Sequence, residues 1–182
     1  LMRGVLSAAA FAALAGTTVP ALAETVLRVA MTAADIPDWT GAPDQGYEGY
    51  RFAGYTMYDA LALWDLSSSD KAADIVPGLA TSWEIDPADP LTWTFHLREG
   101  VTFHDGCPWN ADSAIWNFER VKNSGSPQYN VRHAGMQGWA VGALSGYEKV
   151  DDYTIKLHTT VPASMLPYSM AMLYMISNCG VE

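Results

Sequence analysis

Residues 77–120 read PGLATSWEIDPADPLTWTFHLREGVTFHDGCPWNADSAIWNFER. Within residues 92–98, Trp93, Phe95 and Leu97 alternate with Thr92, Thr94, His96 and Arg98. A period of two puts the apolar set on one face, the pattern of a half-buried antiparallel strand. Residues 81–85 form a second strand, and the DPADP segment between the two is built of turn formers. Val101 and Phe103 are expected to continue the sheet, with Asp105-Gly106 turning the chain. Asn110 is placed to cap a helix from Ala111 to about Lys122, because its short side chain accepts from the open N–H groups of a first turn. Ala114, Ile115, Phe118 and Val121 form the apolar face of that helix. The whole stretch is scaffold, with no catalytic constellation in it.

Working outward, residues 123–146 hold many glycines and little periodicity, so a long loop with short helical pieces is expected. Long loops in compact domains are often functional. Residues 147–150 and 153–158 make a hairpin about Asp151-Asp152, with Tyr153, Ile155 and Leu157 on one face. Residues 163–176 are apolar and Met-rich, a helix entered through Pro162 and interrupted near Pro167. No polar tail follows, so a chain truncated at its C-terminus is expected. Towards the N-terminus, residues 67–74 are a polar linker. Tyr55, Tyr58, Leu61 and Asp65 share one helical register, which predicts a helix over 52–64. Residues 35–49 are rich in Pro, Gly and Asp and read as loop, and residues 26–30 (VLRVA) read as a buried strand. There are no internal repeats.

Residues 1–23 have the form of a secretory signal peptide. Arg3 supplies the positive charge, an apolar run follows, and Ala21-Leu22-Ala23 is an A-x-A site that predicts cleavage after Ala23. The apolar run is about a dozen residues, short of the roughly 20 that a spanning helix needs. No Cys follows the site, so a periplasmic protein without a lipid anchor is expected. The formal charge of -10 becomes one unit more negative once Arg3 is removed. That balance argues against nucleic acid and anionic membranes as partners. Residues 24–182 are long enough for one domain. Cys107 and Cys179 lie in an oxidising compartment, where they pair with each other or with a cysteine elsewhere.

The candidates for chemistry are few. No two of His96, His104, His133 and His158 have the spacing of a helical zinc site, so neither metal nor cofactor is expected. His133, in the long loop, has the best claim among them to a ligand contact. Ser82, Ser113 and Ser164 are outside any G-x-S-x-G elbow, and phosphate-binding glycine loops are absent. Cys107 with His104 is the one nucleophile–base pair that proximity in sequence offers, though no oxyanion element accompanies it. Trp39, Tyr47, Tyr50, Tyr129 and Trp139 lie in loop segments, where flat aromatic walls suit a solute site.

Four segments together resemble the extracellular solute-binding proteins of family 5, the dipeptide/oligopeptide class that serves ABC importers. They are PGLATSWE at 77–84, TWTFHLREGVTFHDG at 92–106, NADSAIWNFERV at 110–121 and VDDYTIKL at 150–157. Cys107 departs from the small or polar residue usual in the family at that position. The resemblance implies an α/β fold of the type II periplasmic-binding-protein kind, two-lobed in full length. This chain would then be the N-terminal part of the first lobe with its accessory subdomain. It implies a monomer that captures peptides in the periplasm, closes over them and delivers them to the permease subunits, with no catalytic residues. An extended peptide is held partly by main-chain hydrogen bonds, as in strand addition.

For site residues, the resemblance points to Ala34 and Asp35, in the stretch after the first strand. Asp35 would offer a carboxylate to an amine. It also points to Tyr129, in a Ser126-Pro127-Gln128-Tyr129 loop like the one that supplies a cleft tyrosine in peptide binders. The alternatives within the fold are an oligosaccharide, a nickel chelate or an opine as solute. Those outside this role are a signalling receptor that borrows the fold and an exported hydrolase using Cys107 and His104.

Overall fold

The computed structural model describes residues 54–179, together with Gly49, all within the compact unit Met31–Glu182. In chain order the elements are α1 (Tyr55–Met57), β1 (Ala62–Trp64), β2 (Ile75–Pro77), β3 (Ala80–Asp86), β4 (Asp89–Leu97), α2 (Ala111–Lys122), α3 (Val131–Gln137), a 3-10 turn (Gly138–Val141), β5 (Leu144–Asp151), β6 (Thr154–Thr159) and α4 (Leu166–Met170). The expected leader, the strand over 26–30, Ala34, Asp35, Trp39, Tyr47 and Tyr50 lie outside the described residues. So does the expected loop over 35–49, except Gly49, which is helical and buried.

The alternation in residues 92–98 builds an antiparallel sheet of order β3-β4-β6-β5. Across it Trp93 faces Leu157 and Phe95 faces Ile155, and Phe95, Ile155 and Leu157 have no exposure at all. The other face is polar, with Glu84 and His96 side by side at 2.9 Å. Helix α2 lies over the buried face through Ala114, Phe118 and Val121, and Phe118 stacks on Tyr147 of β5 with ring centroids 5.4 Å apart. Each large side chain buried here contributes about 1.5–3 kcal/mol. The helix starts where the sequence predicts. The Asn110 side chain accepts from Ser113 N (3.1 Å), and Ser113 Oγ accepts from Asn110 N (3.0 Å), which satisfies two open donors reciprocally.

Four expectations change. In its described part, residues 54–64, the helix expected over 52–64 does not form: α1 is a single turn, and the chain then extends into β1, which pairs with β2 (Leu63 opposite Val76). Pairing with a partner outside the local window overrides the helical recurrence of Tyr55, Tyr58 and Leu61. Val101 and Phe103 leave the sheet. They fold with residues 107–109 into a small hairpin held by Phe103 N to Cys107 O (2.8 Å) and Trp109 N to Val101 O (2.9 Å). Gly100 (φ 72°) and Gly106 (φ 87°) supply backbone conformations that other residues seldom adopt.

The apolar run over 163–176 is helical only through α4, where Pro167 sits in the first turn rather than interrupting. Beyond it Ala60 bridges Tyr174 and Met175 N donates to Asp59 O (2.9 Å), so the chain becomes an extended strap. The segment 123–146 does carry helical pieces, α3 and the 3-10 turn, but β5 begins within it at Leu144. No helix among the described residues is long and apolar enough to cross a membrane.

Candidate functional site

Helix α2 has a second stripe beside its apolar face. Ser113, Asn117 and Arg120 follow at i, i+4 and i+7, and all are buried. Asn117, 2% exposed, is a two-way clamp on the strap. Its Nδ2 donates to Ile176 O (2.9 Å) and its Oδ1 accepts from Ile176 N (3.0 Å). Arg120, 4% exposed, donates through Nη2 to Nε2 of His133 at 3.1 Å. Arginine has no acceptor, so His133 accepts at Nε2 and carries its proton on Nδ1. The guanidinium carbon also lies 6.0 Å from the centre of the Trp116 ring. Asn130 starts α3 by accepting at Oδ1 from the N–H groups of Arg132 (3.0 Å) and His133 (3.1 Å), and its own N–H donates to Arg120 O (2.9 Å). That bond docks the loop after α2 against the helix.

These elements enclose a cleft of about 470 Å³. Trp116 and Arg120 come from α2, Gln128, Asn130 and His133 from the loop and α3, Phe103, His104 and Asp105 from the small hairpin, and Ile176, Ser177 and Cys179 from the strap; Tyr58 completes it. Three aromatic rings and a few polar groups in such a volume match small-molecule sites, which run to about 300–1,000 Å³. The Asp105 carboxyl is held below the usual carboxylate range, first by the Ser177 hydroxyl and then by Cys107 N–H. It is therefore an anion at neutral pH. Among the described residues no group of His, Cys, Asp and Glu could hold a metal ion.

Cys107 and Cys179 are joined in a disulfide, with Cα atoms 6.3 Å apart. This settles the open pairing and takes away the thiol that a Cys107–His104 hydrolase would need. Of the residues singled out from sequence, His133 does line the cleft, but from α3 and 1% exposed rather than from a loop. Tyr129 is half-buried between two cleft residues, in a turn closed by Tyr129 N to Ser126 O (3.0 Å), and its own side chain is not part of the lining. Trp139 lies outside the cleft and is 56% exposed. Sequence reasoning missed Tyr58, Asp105, Trp116 and Arg120. The polar stripe at 113, 117 and 120 was the signal that marked the cleft side of α2.

The model of the bacterial extracellular solute-binding proteins, family 5, matches residues 74–178. The chain belongs to this family. Its members are binding proteins rather than enzymes. Among the relatives of this family 5 chain, the dipeptide-binding protein of Escherichia coli (strain K12) is 33% identical over 146 residues, 72% of this chain and 27% of the relative. Heme-binding protein A of Haemophilus influenzae is 35% identical over 118 residues, 59% of this chain and 21% of the relative. The solved structure of the periplasmic binding protein DppA from Helicobacter pylori, in complex with the peptide STSA, superposes with a TM-score of 0.60 at 26% identity. That match covers 76% of this chain and 28% of the other. The family 5 chain thus spans about a quarter of the length of the proteins it matches.

Proposed function

We propose that this chain is the N-terminal part of the first lobe, with its accessory subdomain, of the substrate-binding component of an ABC importer. It captures di- and oligopeptides in the periplasm and delivers them to the permease, as a monomer and without chemistry. The observation that carries the reading is the family match over residues 74–178, which includes all of the cleft's lining except Tyr58 and Cys179. The cleft's chemistry fits a peptide. Tyr58, Phe103 and Trp116 offer apolar surface, Gln128 and Asn130 offer amides, and Asp105 offers a carboxylate to a cationic group. Tyr129, flanked by two lining residues, turns onto the solute when the second lobe closes. Ala34 and Asp35 are assigned to the solute site as well, with Asp35 a second partner for an amine. Both assignments rest on the family resemblance. Export with cleavage after Ala23 follows from the leader-like first 23 residues.

A thermal-shift screen of the protein, in the full length its gene encodes, tests this. A peptide at 100 times its Kd stabilises the native state by about 2.7 kcal/mol. No shift with any di- or oligopeptide would remove the peptide assignment. Haem is the second reading, because one relative at 35% identity is a haem-binding protein. A haemin Soret shift without peptide stabilisation would favour it.

A further inference from the structure

The cleft has one wall whose outer end the hydrophobic core does not hold: Phe103 packs against the core, but the hairpin tip and the strap beyond Ile176 do not. Six of the twelve lining residues come from two segments that face each other: Phe103, His104 and Asp105 on the small hairpin, and Ile176, Ser177 and Cys179 on the strap. The strap is fixed at its start, where Tyr174 is buried and Asn117 clamps Ile176 from both sides. Among the described residues after Ile176, 177–179, nothing apolar anchors it. His104, Asp105, Gly106 and Cys179 are exposed, and Cys107 and Ser177 are only half-buried. Among the described residues, two links join the strap beyond Ile176 to the hairpin: the Ser177–Asp105 hydrogen bond and the Cys107–Cys179 disulfide. The first is exposed to water, where a hydrogen bond contributes little net stability.

We propose that the Cys107–Cys179 disulfide is the latch of this cleft wall, and that its reduction lowers solute affinity while leaving the sheet and α2 folded. This rests on the solute-binding reading of the cleft. With the latch closed, the wall is ordered before solute arrives, so binding does not have to order it. With the latch open, the hairpin tip and residues 177–179 become a region of low local stability, and solute must order them.

The chemistry needs a dithiol as reductant. Cys179 is exposed and Cys107 half-buried, so a dithiol's thiolate attacks the sulfur of Cys179 and expels the Cys107 thiolate. The second thiolate of the reductant then displaces Cys179. The protein gains two electrons and two protons as a pair of thiols, and the reductant leaves as its own disulfide.

The test uses the protein in the full length its gene encodes, in three forms: oxidised, reduced by dithiothreitol, and carrying Cys107→Ser with Cys179→Ser. The reduced wild type serves as the second route should the double variant fold poorly. Hydrogen exchange is read across residues 103–107 and 175–179, and Kd is measured for Ala-Ala and Ala-Phe. Ile155→Val, deep in the core and away from the cleft, controls for lowered stability alone. Opening the latch should speed exchange in those two segments and not in β4 or β6, and raise Kd about tenfold or more, an effect that Ile155→Val does not copy.

Unchanged exchange in both segments overturns the latch, as does an unchanged Kd despite faster exchange, or an equal rise in Kd with Ile155→Val. If the oxidised protein binds neither these dipeptides nor longer peptides, it is the peptide reading that fails. The exchange comparison then decides the latch on its own.

Discussion

Asn117→Ala removes the clamp between α2 and the strap. In the wild type the Asn117 amide accepts from Ile176 N (3.0 Å) and donates to Ile176 O (2.9 Å) and Ser113 O (2.9 Å). Alanine leaves the N–H and C=O of Ile176 without that partner at a half-buried position. A buried group orphaned in this way costs about 1–3 kcal/mol. Two such groups, partly reached by water, put the loss at roughly 2–4 kcal/mol, a large fraction of the ~5–15 kcal/mol typical of a native protein. Asn117→Asp separates the donor and acceptor roles. It keeps an acceptor for Ile176 N–H but turns an anionic oxygen towards two carbonyls, so burial and repulsion raise that carboxyl's pKa. A raised folded-state pKa means the acid form is the one tolerated. Measured against wild type at each pH, the stability of Asn117→Asp should therefore be greatest below about pH 4 and fall as pH rises towards neutrality, whereas Asn117→Ala shows no such slope. Urea unfolding followed by tryptophan fluorescence, with an unchanged m-value, reads both effects. A loss below about 0.5 kcal/mol for Asn117→Ala, or a pH-independent Asn117→Asp, would refute the clamp.

Phe95→Ala, at a position with no exposure, should cost about 3–5 kcal/mol in the same urea assay. Asn110→Ala breaks the capping box of α2 and should cost about 1 kcal/mol, with Asn110→Ser or Asn110→Asp recovering most of it. Lys149 bonds Asp152 (2.7 Å) and Asp112 (2.9 Å), which push its pKa up to about 12. Its stabilising contribution should be complete below about pH 10 and disappear as pH rises through 12. An NMR titration of its side chain that gives an ordinary lysine value would count against both bonds.

The scaffold is legible locally because its signals are local. The alternation about Phe95 and Ile155 needs only its own strand to be seen, and the Asn110 cap needs only the next three residues. Elements decided by distant partners are the ones that local patterns misplace. β1 is a strand because Ala62 meets Pro77, and residues beyond α4 are extended because Tyr174 bridges Ala60. The cleft gathers Tyr58, the hairpin at 103–105, α2, the loop around Gln128 and the strap ending at Cys179, and no window of sequence contains them all. Cys107 and Cys179 are visible in the sequence as two cysteines, but only the fold brings them together. Arg120 alone reads as a solvated helix residue, although its spacing from Ser113 and Asn117 marks a buried polar stripe.

The most direct measurement is isothermal titration of the protein, in the full length its gene encodes, with a dipeptide such as Ala-Phe, for the wild type and for Trp116→Ala. Trp116 lines the cleft but is not in the fully buried core, so its removal probes binding more than folding. The expected result is saturable one-to-one binding by the wild type and at least a tenfold weaker Kd for Trp116→Ala, about 1.4 kcal/mol, with similar urea midpoints. Absence of binding by the wild type to any di- or oligopeptide, or equal affinity in Trp116→Ala, would contradict the assignment of this cleft as a peptide site.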